Sequence, residues 1–210
     1  MKTVVCYGDS NTFGSNPHGG RWGLDVRWPR VLQKLLGDDY YVVEEGLGGR
    51  NTVFDDPLES ERNGLTGLPY VLKTHKPIDI LILSLGTNDT KVQFCASSYV
   101  IMAGMEKLVS LVQHFDYGPA YFDRIPRILI ISPIHVGEDV MHSPFKTFDE
   151  TSVAKSKELA PLFKQVAKTT HTEFLDAALY AEPSDFDQLH LEKEGHLKLA
   201  EVIAEKVRNM

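Results

Sequence analysis

The chain has 210 residues, of which 42% are hydrophobic and 24% charged, and its formal net charge is −7. This composition is ordinary for a globular protein, and the acidic balance without a Lys/Arg cluster argues against nucleic acid as a partner. The two cysteines, Cys6 and Cys95, are too few for a disulfide framework. Because no signal peptide and no 18-residue apolar run is apparent, we expect a cytoplasmic protein that does not bind membranes.

The first predicted element is a strand over residues 3–7, and it ends in Gly8-Asp9-Ser10. A β-branched apolar run that stops at glycine indicates a buried strand followed by a tight turn. Ser10 would then lie just past the carboxyl end of the strand, where open α/β sheets gather ligands and chemistry. A serine in this position is most often a turn former or a helix N-cap, so its interpretation as a nucleophile depends on the rest of the chain.

Helices and strands are predicted to alternate along the remainder of the chain. Apolar residues at helical spacing indicate helices, and short runs rich in Val, Ile and Leu indicate strands. The nearly continuous apolar run over 78–85 is typical of a parallel strand that is covered on both faces. The predicted elements are a helix at 28–36, a strand at 41–44, a polar loop at 53–69, a helix at 70–75, a strand at 78–85, a helix at 97–115, a loop at 116–126, a strand at 127–131, a loop at 133–148, a helix at 151–168, a strand at 173–175 and a helix at 193–208.

This alternation predicts a parallel sheet whose crossovers are right-handed helical connections. We therefore expect an α/β protein with a three-layer α/β/α architecture and a five-stranded parallel sheet in flavodoxin-like order. Since neither an internal repeat nor a linker divides the chain, residues 1–210 are predicted to form a single domain.

Four polar stretches stand out against this framework: Gly8-Asp9-Ser10, Gly46-Leu47-Gly48-Gly49, Gly86-Thr87-Asn88-Asp89 and Asp187-Gln188-Leu189-His190. Three of them follow predicted strands and the fourth precedes the last helix, so all can converge at one edge of a parallel sheet. Acyl transfer requires a nucleophile, a base, a group that orients the base, and donors for an oxyanion. The four stretches contain a candidate for each role.

Ser10 is the candidate nucleophile and His190 the candidate base, because imidazole titrates near neutral pH. Asp187, three residues before His190, is the candidate that fixes the imidazole tautomer. The backbone N–H groups of Ser10 and Gly49, with the side-chain amide of Asn88, are the candidate oxyanion hole.

Taken together, the four blocks resemble those of the SGNH (GDSL-type) hydrolases, and they occur here in the order typical of that family. A closer similarity to the arylesterase/acyltransferase branch rests on Asp25-Val26-Arg27-Trp28, Glu44-Glu45-Gly46-Leu47, Arg50, Asp55-Asp56-Pro57, Asn63-Gly64 and Gly86-Thr87-Asn88-Asp89-Thr90-Lys91. The chain differs from that branch at Phe13, where some relatives carry tryptophan, and in the loop 116–126.

The resemblance implies a serine esterase that hydrolyses small aryl or short-chain acyl esters through an acyl-enzyme on Ser10. Some members of the branch also transfer the acyl group to alcohols or to hydrogen peroxide, which is acyltransferase or perhydrolase activity. The resemblance further implies a homo-oligomer, up to an octamer.

Four residues are predicted to contact a small-molecule ester substrate: Phe13, Trp22, Asn11 and His135. For Asn11 the alternative is bonding within its own loop, and for His135 it is exposure to solvent. The loops 55–63 and 133–148 are expected to shape the acyl pocket. Asp9 and Asp89 are expected to brace their turns, and Arg50 to be a structural anchor.

No metal and no cofactor are predicted. No histidine pair has metal-ligand spacing with carboxylate support. The stretch Gly46-Leu47-Gly48-Gly49 is not a dinucleotide-binding motif, because Asn51 stands where the third glycine is required.

Three alternatives to the esterase interpretation remain open. The same fold and residues would suit a carbohydrate O-deacetylase, or a lysophospholipase or thioesterase. In the third alternative the chain is a non-catalytic flavodoxin-like binding protein in which Ser10 and His190 never meet. Asp185 is a less well spaced alternative to Asp187 as the residue that orients His190.

Overall fold

The computed structural model describes residues 1–210 and contains one five-stranded sheet in which every strand pairing is parallel. The strands, in chain order, are β1 (Lys2–Gly8), β2 (Tyr40–Gly46), β3 (Ile80–Ser84), β4 (Arg127–Ser132) and β5 (Glu173–Asp176). Their order across the sheet is β2-β1-β3-β4-β5. The predicted parallel sheet of flavodoxin-like order is therefore confirmed.

Six α-helices connect or follow these strands: α1 (Ser10–Phe13), α2 (Trp28–Leu36), α3 (Gly64–His75), α4 (Ser98–Gln113), α5 (Glu150–Thr170) and α6 (Lys193–Arg208). Short 3₁₀ turns lie at Asn88–Thr90, Val92–Phe94, Val140–His142 and Ala177–Leu179. None of the helices combines the length and the apolar character that crossing a membrane would require.

The prediction for α3 was wrong at its start. A loop was expected through residue 69, yet the helix begins at Gly64, because the side chain of Asn63 caps it by accepting the N–H of Thr66 at 3.2 Å. Pro69 lies inside the helix. A proline normally marks a helix boundary, but here the helix continues past Pro69 through the buried residues Val71 and Leu72.

The sheet is covered by apolar side chains on both faces, which confirms the three-layer arrangement. Val5 and Tyr7 of β1 belong to an apolar cluster that contains buried residues of α3, α4 and α5. Val4 and Cys6 point to the opposite face and pack with residues of α2 and α6. This alternation follows from the two-residue period of a strand, and it explains why the buried strands are apolar throughout.

The register of the central strands brings three polar turns side by side. Gly8, the last residue of β1, pairs with Gly46 of β2 and with Ser84 of β3. The chain then leaves the sheet at neighbouring points toward Ser10, Gly49 and Asn88. At Gly46 a side chain is excluded, because a Cβ atom there would lie 2.1 Å from the backbone nitrogen of Phe13 in α1.

Candidate active site

Ser10 is the first residue of α1, a four-residue helix that directly follows β1. The sequence indicated a tight turn, and the structure adds this single helical turn to it. The side chain of buried Asp9 accepts the N–H of Asn11 at 3.0 Å, as the turn brace that was predicted. Because the first N–H groups of a helix have no partner within it, the N–H of Ser10 is free to bind a ligand.

Asp187 and His190 form a closely bonded pair. The Nδ1 atom of His190 donates to Oδ2 of Asp187 at 2.6 Å, and Oδ1 of Asp187 accepts the backbone N–H groups of Leu189 and His190 at 3.0 and 2.9 Å. Burial acts to raise the pKa of Asp187, but the hydrogen bonds from His190 and Leu189 and the charge of His190 outweigh it, so this pKa lies below its usual value. The charged carboxylate fixes the proton on Nδ1 and leaves Nε2 as the basic atom.

Asp185, the alternative partner, is exposed and makes no side-chain hydrogen bond to His190. The His190 ring is itself buried and meets the ring of Phe145 edge to face, with centroids 5.4 Å apart. Neither Nε2 of His190 nor the hydroxyl of Ser10 is hydrogen-bonded to the protein, and both residues line one cleft of about 870 Å³. In sites without substrate, the bond between nucleophile and base is commonly open and closes in the complex.

The candidate oxyanion donors Gly49 and Asn88 line the same cleft. Gly49 has a φ of +76°, a left-handed conformation that glycine adopts without strain, and its N–H has no acceptor within the protein. The amide nitrogen of Asn88 donates one hydrogen to the carbonyl of Arg50 at 3.1 Å, which orients the amide. Its second N–H remains available to an oxyanion.

Two charged residues hold the turns around these donors. The guanidinium of Arg50 donates to the carbonyl of Gly8 at 3.0 Å and lies 4.1 Å from the ring centroid of Tyr7, so Arg50 has the anchoring position that was expected. Asp89 is fully buried and accepts the N–H of Thr52 at 2.9 Å as well as its hydroxyl. Asp89 therefore braces its turn and does not face the cleft.

Both aromatic and charged side chains line the cleft. Its aromatic residues are Phe13, Phe145, Phe148 and Phe186. Apart from Asp187, its charged residues are Asp56, Glu59, Arg62 and Lys91, here called the charged cluster.

The charged cluster lies next to one of the candidate oxyanion donors. Nζ of the buried Lys91 lies 3.3 Å from Oδ2 of Asp56 and 3.5 Å from Oε2 of Glu59. The cluster borders Gly49, because a Cβ atom there would lie 2.9 Å from Oε2 of Glu59 and 3.0 Å from Nε of Arg62.

Of the four predicted substrate-binding residues, only Phe13 lines the cleft. Asn11, Trp22 and His135 lie outside its lining, which corrects the expectation for all three. Asn11 and Trp22 instead bond to the backbone on either side of His190. The loops 55–63 and 133–148 do contribute lining residues, the latter through its end at 144–148.

Several lining residues were not predicted at all. Lys91 lies between the 3₁₀ turns Asn88–Thr90 and Val92–Phe94, and Gln93 lies on the second of them. No sequence pattern placed these two residues beside the cleft. Residues 15–20, in a Gly-containing stretch that follows Ser10, also line it. No group of three or more His, Cys, Asp or Glu side chains is arranged to hold a metal ion.

The model of the GDSL-like lipase/acylhydrolase family matches residues 6–198. The chain belongs to this family. It contains the four sequence blocks from which the resemblance to SGNH (GDSL-type) hydrolases was drawn, and that resemblance is confirmed.

Three relatives are similar over nearly all of the chain. An acetylxylan esterase of Xylanibacter ruminicola is 26% identical over 98% of the chain, which spans 43% of that relative's length. A carbohydrate acetylesterase from Sinorhizobium meliloti superposes with a TM-score of 0.93 at 35% identity, covering 100% of this chain and 99% of that one. An aryl esterase of M. smegmatis gives a TM-score of 0.92 at 34% identity, with the same coverage. These relatives support ester hydrolysis as the class of reaction.

Proposed function

We propose that this GDSL-family protein is a serine esterase that hydrolyses small aryl or short-chain acyl esters through an acyl-enzyme on Ser10. The observation that carries the proposal is the 2.6 Å bond between Asp187 and His190, because it leaves Nε2 basic on a ring that lines the same cleft as Ser10. A buried, oriented base and a hydroxyl in one cleft are the essential parts of nucleophilic acyl transfer.

In the proposed reaction, Nε2 of His190 removes the proton from the Ser10 hydroxyl as its oxygen bonds to the ester carbonyl carbon. The carbonyl electrons move onto oxygen, and the N–H groups of Ser10, Gly49 and Asn88 stabilise that charge. The tetrahedral intermediate then collapses, and His190 gives its proton to the departing alcohol. Water repeats the sequence on the acyl-enzyme and releases the acid. An alcohol that enters the cleft in place of water would instead be acylated, which would be acyltransferase activity.

A second candidate substrate class, an O-acetylated carbohydrate, is favoured by the charged cluster. Carboxylates and a lysine that border a cleft can hydrogen-bond the hydroxyl groups of a sugar. The acetylxylan esterase and the carbohydrate acetylesterase among the relatives support the same class. The phenylalanines of the cleft favour an aryl leaving group equally well, because they offer flat apolar surface to its ring.

Active-site labelling tests the proposal directly. A fluorophosphonate should label the protein stoichiometrically, peptide mass mapping should locate the adduct on Ser10, and Ser10→Ala should remain unlabelled. An adduct elsewhere, or none on a folded protein, would overturn the serine mechanism and favour a non-catalytic binding protein. p-Nitrophenyl acetate should be cleaved faster than the octanoate; the reverse order would favour lipid or thioester substrates. A comparison of phenyl acetate with an acetylated xylo-oligosaccharide then separates the two proposed leaving-group classes.

A further inference from the structure

The segment 189–191, which carries the candidate base, has every backbone polar group hydrogen-bonded. Two of these bonds are the contacts from the N–H groups of Leu189 and His190 to Asp187, and a third joins the carbonyl of His190 to the N–H of Ser184 at 2.7 Å. Both partner residues, Asp187 and Ser184, lie within six residues of His190. These local bonds fix the shape of the segment, but they do not fix its position relative to the strands.

The other three bonds come from the opposite end of the chain. Nδ2 of Asn11 donates to the carbonyl of Leu189 at 3.1 Å, and Oδ1 of Asn11 accepts the N–H of Leu191 at 2.9 Å. Nε1 of Trp22 donates to the carbonyl of Leu191 at 3.2 Å. The amide of Asn11 thus spans His190 and bonds the residue on each side of it.

Asn11 is also the neighbour of the nucleophile in the chain. It follows Ser10 in α1, and its own N–H is tied to Asp9. Among residues 10–13, Asn11 alone hydrogen-bonds to the segment 187–191. Its side chain does not line the cleft, so a substrate in the cleft does not meet it.

We infer that Asn11 is a positioning residue that holds the imidazole of His190 in place relative to the hydroxyl of Ser10, with Trp22 as a weaker second support. This inference rests on the proposed function. The pair of Asp187 and His190 is internally bonded and would survive as a unit without Asn11. What Asn11 supplies is the placement of that unit against the helix that carries the nucleophile.

The consequence is a selective loss of turnover. A displacement of about 1 Å at a reacting group can lower a rate by about 10²-fold. Asn11→Ala should therefore lower kcat and the rate of fluorophosphonate labelling by about 10- to 100-fold. KM should stay nearly unchanged, because Asn11 is outside the cleft. The far-downfield proton NMR resonance expected of Nδ1 in His190 should persist, because its bond to Asp187 is local.

Gln33 provides the matched control. Its side-chain amide donates to the carbonyls of Gly37 and Tyr40 at 3.2 and 2.9 Å and accepts the N–H of Val42 at 2.7 Å, on the edge of the molecule away from the cleft. Gln33→Ala removes at least as many side-chain-to-backbone bonds as Asn11→Ala. It should lower stability without changing kcat or the labelling rate.

The outcomes separate the inference from the proposed function. If wild-type protein is not labelled on Ser10, the proposed function fails and Asn11 has no base to position. If wild type is labelled and folded Asn11→Ala reacts at the same rate, the inference alone is overturned. Loss of the downfield resonance in Asn11→Ala would also overturn it, because Asn11 would then be needed for the Asp187–His190 pair itself.

A milder variant covers the case in which Asn11→Ala does not fold. Trp22→Phe retains the ring but removes the single N–H bond to Leu191, and it should slow labelling by a few-fold with KM unchanged. An unchanged labelling rate in folded Trp22→Phe would contradict the inference.

Discussion

The stability of the protein in acid depends in part on the buried residue His196, and this dependence can be measured. It lies on α6 and is fully buried; its Nδ1 accepts the N–H of Trp28 at 3.3 Å, and its Nε2 has no partner. Burial, and secondly the charge of His190, lower the pKa of His196 from 6.5 to about 4. Between these pH values the unfolded chain binds a proton at this residue that the folded protein does not bind. The contribution of His196 to stability is therefore complete above pH 6.5 and is lost as the pH falls toward 4.

The difference between the two pKa values corresponds to about 3 kcal/mol in the free energy of unfolding. Two buried carboxyl groups act in the opposite direction. Burial raises the pKa values of Asp9 and Asp89 from 3.8 to about 6, so the folded protein binds protons there that the unfolded chain releases. Their contributions increase stability as the pH falls from 6, and in the wild type they offset the loss of stability that His196 causes. The histidine must therefore be isolated by substitution.

His196→Asn removes the titrating group and keeps an acceptor for the N–H of Trp28. Urea unfolding at about pH 7 and about pH 4.5 gives the change in stability of each protein over this interval. The wild type should lose about 2 kcal/mol more than the variant. Replacing the exposed His114 by Asn controls for loss of a histidine without burial. Equal losses in wild type and His196→Asn would refute the claim that the folded protein keeps His196 neutral.

Four further substitutions test the site and its framework. Ser10→Ala should lower kcat by about 10⁶-fold and Asp187→Asn by about 10⁴-fold; residual turnover close to wild type in either would exclude that residue from the reaction. Asn88→Ala should lower kcat by about 10²- to 10³-fold in steady-state assays. As a control, Asn51→Ala replaces a buried asparagine outside the cleft and should lower only stability. Equal effects of the two substitutions on kcat would argue against an oxyanion donor at Asn88. Gly46→Ala places a Cβ against the backbone of α1, so urea unfolding should show a loss of about 1–3 kcal/mol in the free energy of unfolding. Fluorophosphonate labelling should also be slower. Wild-type values for both would contradict the close approach of Gly46 to α1.

The sequence was sufficient for those parts of the site that depend on a strand end or on a short contact. Ser10, Gly49 and Asn88 each follow a strand that its apolar run makes recognisable, and a parallel sheet brings such ends to one edge. The contact between Asp187 and His190 spans three residues, so chain order alone made it plausible.

Contacts between residues far apart in the chain could not be predicted from the sequence. Asn11 bonds to residues 178 and 180 positions away, through backbone atoms that every residue type possesses, and no periodicity records such a contact. Because its partners could not be recognised, Asn11 was predicted to bind substrate, as a polar residue next to the candidate nucleophile. Lys91 is similar, since its partner Asp56 lies 35 positions away and the 3₁₀ turns between β3 and α4 lack a repeating pattern.

The distance along the chain between Ser10 and His190 also determines when the site can form during synthesis. Translation delivers Asn11 178 residues before Leu189, so the amide of Asn11 has no partner while the intervening chain is made. Until the segment 189–191 docks on α1, the Ser10 hydroxyl has no histidine beside it. Under the proposed function, reactivity toward esters would therefore report that α1 and the segment 189–191 have come together, and a chain that stops before residue 190 would carry Ser10 without its base.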